Sequence, residues 1–291
     1  MIKEITPRLL HGLLQSRTAE SHKYDYGNAL LVAGSYGMIG AALLCARACM
    51  RSGVGLLTVR VPRCGYDIIQ TGIPEAKCET DERHDRHSHI CISPKTDAIA
   101  LGPGMGQHQE TQDAIRRMLE QGWDTPGLPA PALVCDADAL NCLARNPDLL
   151  GLLPHDTILT PHPGETRRLL DATGMSNCTE LAMHYRIVVI NKTHSTTIHL
   201  PDGITWKNEL WGNPGMAVGG SGDTLTGILL GLRAQGYSAR DAAILGVSLH
   251  AIAADMAIEE GEQSEESLLP SDITRWLGRA FAYVASDASD A

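Results

Sequence analysis

Aromatic residues are scarce: of 291 positions one is Phe (Phe281), and Phe, Trp and Tyr together make 4%. A core without large rings has to be assembled from Ala, Val, Ile and Leu. That suits helices packed closely over a sheet and disfavours an aromatic-rich β-sandwich. Basic residues are also short, with 24 Lys and Arg against 34 Asp and Glu for a formal charge of −10 and a pI near 5.6. Broad attraction to nucleic acid or to an anionic membrane needs the opposite balance, so neither is expected as a partner. No stretch approaches the roughly 18 unbroken apolar residues of a membrane span. The opening MIKEITPRLLHGLLQSR lacks the regions and cleavage site of a signal peptide. The chain reads as soluble and cytoplasmic. Eight cysteines form no CxxC pair and mostly sit inside apolar runs, the pattern of reduced core thiols rather than of zinc sites or disulfides.

What the chain does have is a hydrophobic share of 43% and 29 glycines. No internal repeat or Pro/Ser-rich linker divides it, so residues 1–291 are expected to form one domain. Short runs of Val, Ile and Leu recur at 29–35, 56–62, 98–104, 132–138, 157–165 and 187–192. Helical patterns intervene or follow at 40–51, 109–120, 138–145, 165–170, 223–233 and 239–258. Continuous rather than alternating apolar character marks strands covered on both faces, and their alternation with helices predicts a mostly parallel α/β sheet. Ligands gather at the carboxyl ends of such strands, where this sequence carries Gly, Pro, Asp and His. Two polar stretches read as surface loops: DERHDRHSH (81–89), whose histidines lack zinc-type spacing, and the acidic run 259–266. The final SDASDA (286–291) reads as a frayed tail.

The sharpest motif is NPGMAVGGSGDTLTG (213–227). Gly219 to Gly222 lead into an apolar helix expected to start near Asp223, and free amides at a helix start, approached by pliable glycine backbone, make an anion cradle. A carboxylate beside bound phosphate is costly without a role, and Asp223 could take the proton of a hydroxyl that attacks a phosphoryl group. The alternative is an Asp N-cap after a Gly-rich turn. In LGPGMG, Gly104 and its neighbouring glycines follow a buried strand, so backbone could meet a ligand there or simply turn. Ala41 opens the first long helix and by composition is a packing residue. His162 stands between two prolines that restrict the backbone around it, as a fixed donor or acceptor or as a structural histidine. Glu165 follows it in PHPGE, as a magnesium-water contact or a cap. Asp138 reads as an N-cap in CDADALN, while Asp136 is the better support for a nucleotide region. Lys192 ends the IVVIN strand and offers a point charge to phosphate.

The 213–227 segment resembles the Gly-x-Gly-Asp signature of the ribokinase-like superfamily. In its longer form it is similar to the ADP- or ATP-dependent NAD(P)H-hydrate dehydratase family. SHKYDYGNALLVAGS, MIGAALLCARACMRSGVGLLTV, IPEA, AIALGPGMG, LVCDADALN and ILTPHPGE agree with that family in order, so the resemblance spans roughly residues 5 to 258. It implies a three-layer α/β/α sandwich and an enzyme that returns hydrated NADH or NADPH to the normal cofactor, with ADP or ATP as cosubstrate and Mg2+ as metal. Asp223 would be the catalytic base, and Gly220, Ser221 and Gly222 the cradle of the transferring group. Ala41, Gly104, His162 and Asp223 would line the substrate pocket, Lys192, Thr193, His194, Ser195 and Thr196 would hold the nucleotide, and Glu165 would contact magnesium through water. Thr193 departs from the family's Gly, which puts nucleotide affinity in doubt. The family also implies a homotetramer and, since fused epimerase versions carry a further domain, this one activity alone. With Tyr36 as the one Phe, Trp or Tyr at the matched strand ends, bound rings are expected to lie against backbone and aliphatic walls. The competing readings are a ribokinase-like hydroxyl kinase for a vitamin precursor such as hydroxyethylthiazole or hydroxymethylpyrimidine, and a nucleotide-binding module without catalysis. A dinucleotide-binding oxidoreductase is disfavoured, because no GxGxxG follows the first strand.

Overall fold

Each of the six apolar runs becomes a strand with both faces covered, in a computed structural model that describes residues 1–122 and 130–286. The strands are β1 (Ile2–Glu4), β2 (Asn28–Val32), β3 (Leu56–Val61), β4 (Lys77–Thr80), β5 (Ala98–Leu101), β6 (Ala132–Cys135), β7 (Ile158–Leu159), β8 (Val188–Asn191), β9 (Thr197–His199) and β10 (Thr205–Lys207). They form one sheet in the order β1-β10-β9-β8-β7-β6-β5-β2-β3-β4. All neighbours are parallel except around β9, which runs antiparallel to both β8 and β10. The helices are α1 (Pro7–Leu13), α2 (Ile39–Arg51), α3 (Tyr66–Gly72), α4 (Gln109–Glu120), α5 (Ala137–Arg145), α6 (Pro163–Thr173), α7 (Cys178–Tyr185), α8 (Ser221–Ala234), α9 (Ala239–Glu259) and α10 (Pro270–Ala285).

Successive strand residues point to opposite faces, and the two cores divide accordingly. Leu31, Ala100, Val134, Ile158 and Val188 enter one core with residues of α1, α2, α3, α8, α9 and α10. Leu30, Ile99, Leu133, Leu159 and Val189 enter the other with residues of α4, α5, α6 and α7. The result is three layers, helices over both faces of the sheet. Part of the glycine count serves this packing rather than a ligand: a Cβ on Gly227 would stand 2.1 Å from the Cys45 carbonyl oxygen, so α8 lies backbone-close on α2. One helix among the described residues, α9, is long and apolar enough to cross a membrane, with a mean hydropathy of 1.5, and 78% of that window is inside the protein.

One polar stretch behaves otherwise than its composition suggests. In DERHDRHSH the side chains of Asp81 and His87 are buried, not solvated. Burial alone would raise the Asp81 carboxyl, but it accepts from the amides of Arg83, Ser88 and His89 and from the Ser88 hydroxyl, which together hold it at about 2. Arg60 of β3 stands 3.5 Å away. His87 Nε2 donates to the carbonyls of Ala33 and Gly34 at 3.1 and 3.0 Å, and burial lowers this imidazole to about 4. The loop thus pins the turn after β2. The glutamates of the acidic run 259–266 are exposed as expected, and residues 287–291 of the expected tail lie outside the described residues.

Candidate active site

Because β5, β6, β7 and β8 are parallel neighbours, their carboxyl ends deliver Gly104, Asp136, His162 and Lys192 to one edge of the sheet. The N-terminus of α8 meets them there. Gly220 caps it in the left-handed conformation, φ 95°, and the helix begins at Ser221, two residues before the expected start. Asp223 is therefore not an N-cap. It is the third residue of the first turn, among amides that lack intrahelical partners.

Asp136 is the hub. Its Oδ1 accepts from Lys192 Nζ at 2.8 Å and its Oδ2 from Thr226 Oγ1 at 2.7 Å. Thr226 lies one turn after Asp223 on the same helix face, and sequence reasoning missed it although it stands inside the 213–227 motif. Asp136 also holds the N-cap position of α5 without a side-chain capping bond. The cap was expected at Asp138, which instead lies within α5 and ties the strand-end loop down, accepting from Gly106 N at 2.8 Å and Gln107 Nε2 at 3.1 Å. Between the two aspartates Ala137 takes a φ of 47°, a left-handed conformation costing about 1–3 kcal/mol for a residue with a Cβ. Lys192 packs directly on the cradle: a Cβ on Gly222 would stand 3.0 Å from Nζ and 3.7 Å from Asp136 Oδ2. A side chain at 222 would have to push the ammonium back from the helix start by a few tenths of an ångström.

Burial, and then the negative charge of Asp136, push Asp223 up to about 7, against the pull of Lys192. A carboxylate poised at neutrality can accept a proton under ordinary conditions. Ser221 Oγ lies 3.4 Å from His250 Nε2 of α9, and burial lowers that imidazole to about 4, so it stays neutral. At the start of α6, His162 and Glu165 form a reciprocal cap: Gly164 N donates to His162 Nδ1 at 3.0 Å, and His162 N to Glu165 Oε2 at 2.9 Å. Burial pushes Glu165 up and His162 down, the latter helped by Lys192 and Arg168. Half of the His162 side chain remains exposed. Among the described residues no three His, Cys, Asp or Glu side chains converge as a metal cage. Glu165, a hard oxygen donor with Oε1 facing His162 Nε2 at 3.5 Å, fits contact to magnesium through water, since that ion keeps most of its hydration.

On the other side of Asp136 two expected pocket residues meet. A Cβ on Gly104 would stand 2.8 Å from the Met38 carbonyl oxygen and 3.0 Å from the Ala41 methyl. Ser35 Oγ, which sequence reasoning missed, donates to Gly104 O at 2.8 Å. Beyond Lys192, the turn of residues 193–196 closes on itself. Thr193 Oγ1 donates to Ser195 O at 2.8 Å, and Thr196 Oγ1 to Thr193 O at 3.2 Å. Thr193 is not among the described non-glycine residues with positive φ, so replacing the family's Gly has not forced a left-handed backbone. His194 is exposed at the tip and Ser195 Oγ donates to Asn208 O at 3.4 Å.

A family model described as NAD(P)H-hydrate dehydratase matches residues 29–277. The ADP-dependent (S)-NAD(P)H-hydrate dehydratase of Bacillus subtilis is 34% identical over 283 residues, 95% of this chain and 96% of that protein. The bifunctional NAD(P)H-hydrate repair enzyme of Moorella thermoacetica is 35% identical over 279 residues, 91% of this chain and 51% of that protein. The chain thus spans about half the length of the bifunctional relatives it matches. Its fold superposes on the crystal structure of the Bacillus subtilis ADP/ATP-dependent NAD(P)H-hydrate dehydratase, co-crystallized with ATP and Mg2+, with a TM-score of 0.79 at 32% identity, covering 96% of this chain and 97% of that one. A ribokinase-like superfamily protein from Enterococcus faecalis gives 0.81 at 25% identity over 98% and 97%. The three layers are the ribokinase-like α/β/α sandwich.

Proposed function

This chain belongs to the NAD(P)H-hydrate dehydratase family, and on that premise we propose that it dehydrates the hydrated forms of NADH and NADPH with ADP, or ATP, as phosphoryl donor. The observation that carries the reading is Asp223, held near neutrality in the first turn of α8 beside the Lys192 ammonium. Hydroxide is a poor leaving group, so the substrate's 6-hydroxyl is first phosphorylated. Asp223 takes the hydroxyl proton as the oxygen attacks the terminal phosphoryl group, and the amides of Gly220, Ser221 and Gly222 with Lys192 hold the charge that develops. The ring nitrogen then expels phosphate, and loss of the neighbouring C5 proton restores the dihydronicotinamide.

Ala41, Gly104 and His162 would hold the reacting ring against Asp223, with His162 neutral and half-exposed at the mouth. Lys192 to Thr196 would hold the nucleotide. When bound, Mg2+ would screen the nucleotide phosphates, and Glu165 would hold it through water. Residues 1–291 would work as one unit, which the single sheet running from β1 to β4 supports. A homotetramer and a cytoplasmic location rest on the family resemblance, and sedimentation of the purified protein tests the former. The activity is tested by incubating the protein with hydrated NADH, magnesium and ADP or ATP. Recovery of reduced-nicotinamide absorbance with stoichiometric inorganic phosphate is expected. A stable phosphorylated product instead would make the chain a hydroxyl kinase, and no recovery with either nucleotide would remove the assignment.

A further inference from the structure

A groove of about 580 Å³ opens between α5 and α6. One wall carries Asn141 and Arg145, four residues apart on one face of α5, and the other carries Arg168 and Asp171, three apart on one face of α6. Gln107 closes the upper end. Two exposed guanidinium groups thus face one cleft in a chain of net charge −10, with Asp171 as the carboxylate among its lining residues. Among the described residues neither Arg145 nor Arg168 has an ion-pair or hydrogen-bond partner, whereas Arg116 nearby is bonded to both Glu120 and Asp148.

Two of the groove's lining residues adjoin the site. Gln107 belongs to the same strand-end loop as Gly104 and is fixed to Asp138 beside the amide of Gly106. Arg168 Nη1 lies 3.7 Å from where a Cβ on Gly164 would stand, and its charge acts on both His162 and Glu165. Long helical side chains lean toward the helix N-terminus, which brings both guanidinium groups toward the strand ends.

Resting on the function proposed above, we propose that the α5–α6 groove, through Arg145 and Arg168, binds the phosphate groups of the dinucleotide substrate while its reacting ring lies between Gly104 and Asp223. A guanidinium fork matches phosphate oxygens two at a time, and Asp171 is placed to accept from ribose hydroxyls, as carboxylates do in other dinucleotide sites. The phosphate has two sources in such a molecule, the diphosphate shared by both hydrates and the 2′-phosphate of the NADP form alone.

The test uses Arg145→Gln, Arg168→Gln and the double variant. KM and kcat for hydrated NADH and hydrated NADPH are measured at saturating ADP, and the dissociation constants of NADPH and NADH by fluorescence. Both side chains are exposed, so melting temperatures should match that of the parent. Each substitution is expected to raise KM about tenfold, the size of one charge-assisted hydrogen bond, with KM for ADP unchanged. A rise for both hydrates assigns the groove to the diphosphate, and a rise for hydrated NADPH alone assigns it to the 2′-phosphate. Unchanged KM and unchanged NADPH binding in the double variant would overturn the proposal. If the parent turns over neither hydrate, the functional reading falls by itself, and weakened NADPH binding in the double variant still upholds the groove.

Discussion

Lys192 and Asp136 meet at 2.8 Å although 56 residues separate them in the chain. The pair sits under Asp223 and acts on it in opposite senses, Asp136 raising its pKa and Lys192 lowering it, while burial is the larger cause and Asp138 adds to the rise. Only the ionised carboxylate accepts a proton, so the base is lost as pH falls through its pKa. Lys192→Met should therefore move the acid limb of the kcat/KM profile to higher pH, and Asp136→Asn should move it lower. Lys192→Met should also cost about 10- to 100-fold in kcat/KM at neutral pH through lost contact with phosphate. Shifts in the same direction for both variants would remove the pair from control of Asp223.

Asp223→Asn should lower kcat by about 10²–10⁴-fold, the range of one general base, while ADP still binds by calorimetry. It should also change stability, with a sign that pH discloses. A carboxyl whose folded pKa, about 7, exceeds its unfolded value binds more protons folded than unfolded, so the parent loses stability as pH rises between the two values. Below about pH 4 both forms are neutral and Asn should melt with the parent. Above pH 7 the penalty of the buried charge is complete, and the variant should melt several degrees higher. Equal melting temperatures at pH 8 would mean that Asp223 ionises without strain.

The same contrast separates what the sequence disclosed from what it hid. The six central strands were legible because a strand covered on both faces is apolar throughout, as in Ala29 to Val32. Short strands such as Thr197–His199 and Thr205–Lys207, three residues each and mixing polar with apolar side chains, do not stand out. The glycine turn leading into a helix at Gly220 to Asp223 was legible because pliable backbone and a helix start are local properties. Asp136 as hub was not, since its partners Lys192 and Thr226 come from another strand and another helix. Asp81 and His87 look solvated for the same reason: their partners Arg60 and the carbonyls of Ala33 and Gly34 belong to other strand ends.

Ala41 faces Gly104 so closely that a glycine Cβ there would already approach its methyl to 3.0 Å. Ala41→Leu adds three carbons into that contact. KM for either hydrate should rise at least about tenfold, as expected when a pocket loses the volume of several methylenes. KM for ADP should not change, because Lys192 and Gly222 stand on the far side of Asp136. Ala and Leu are both good helix formers, so the melting temperature should move little. A parallel rise in both KM values would point to a distorted α2 rather than a filled pocket.

Thr193→Gly restores the residue usual in the family, and the expected outcome is a loss. If the Thr193 Cβ obstructed the nucleotide, glycine would tighten ADP binding. The threonine, however, is free of left-handed strain, and its hydroxyl closes the turn by donating to Ser195 O at 2.8 Å. Glycine would abandon that bond and give the unfolded chain more freedom, together about 1–2 kcal/mol, which lowers the melting temperature by a few degrees. ADP affinity, read by calorimetry, should stay level or weaken as the turn that follows Lys192 loosens. Tightening by fivefold or more would show instead that the side chain stands in the nucleotide's way, and that the hydrogen-bonded turn is a compensation for that obstruction.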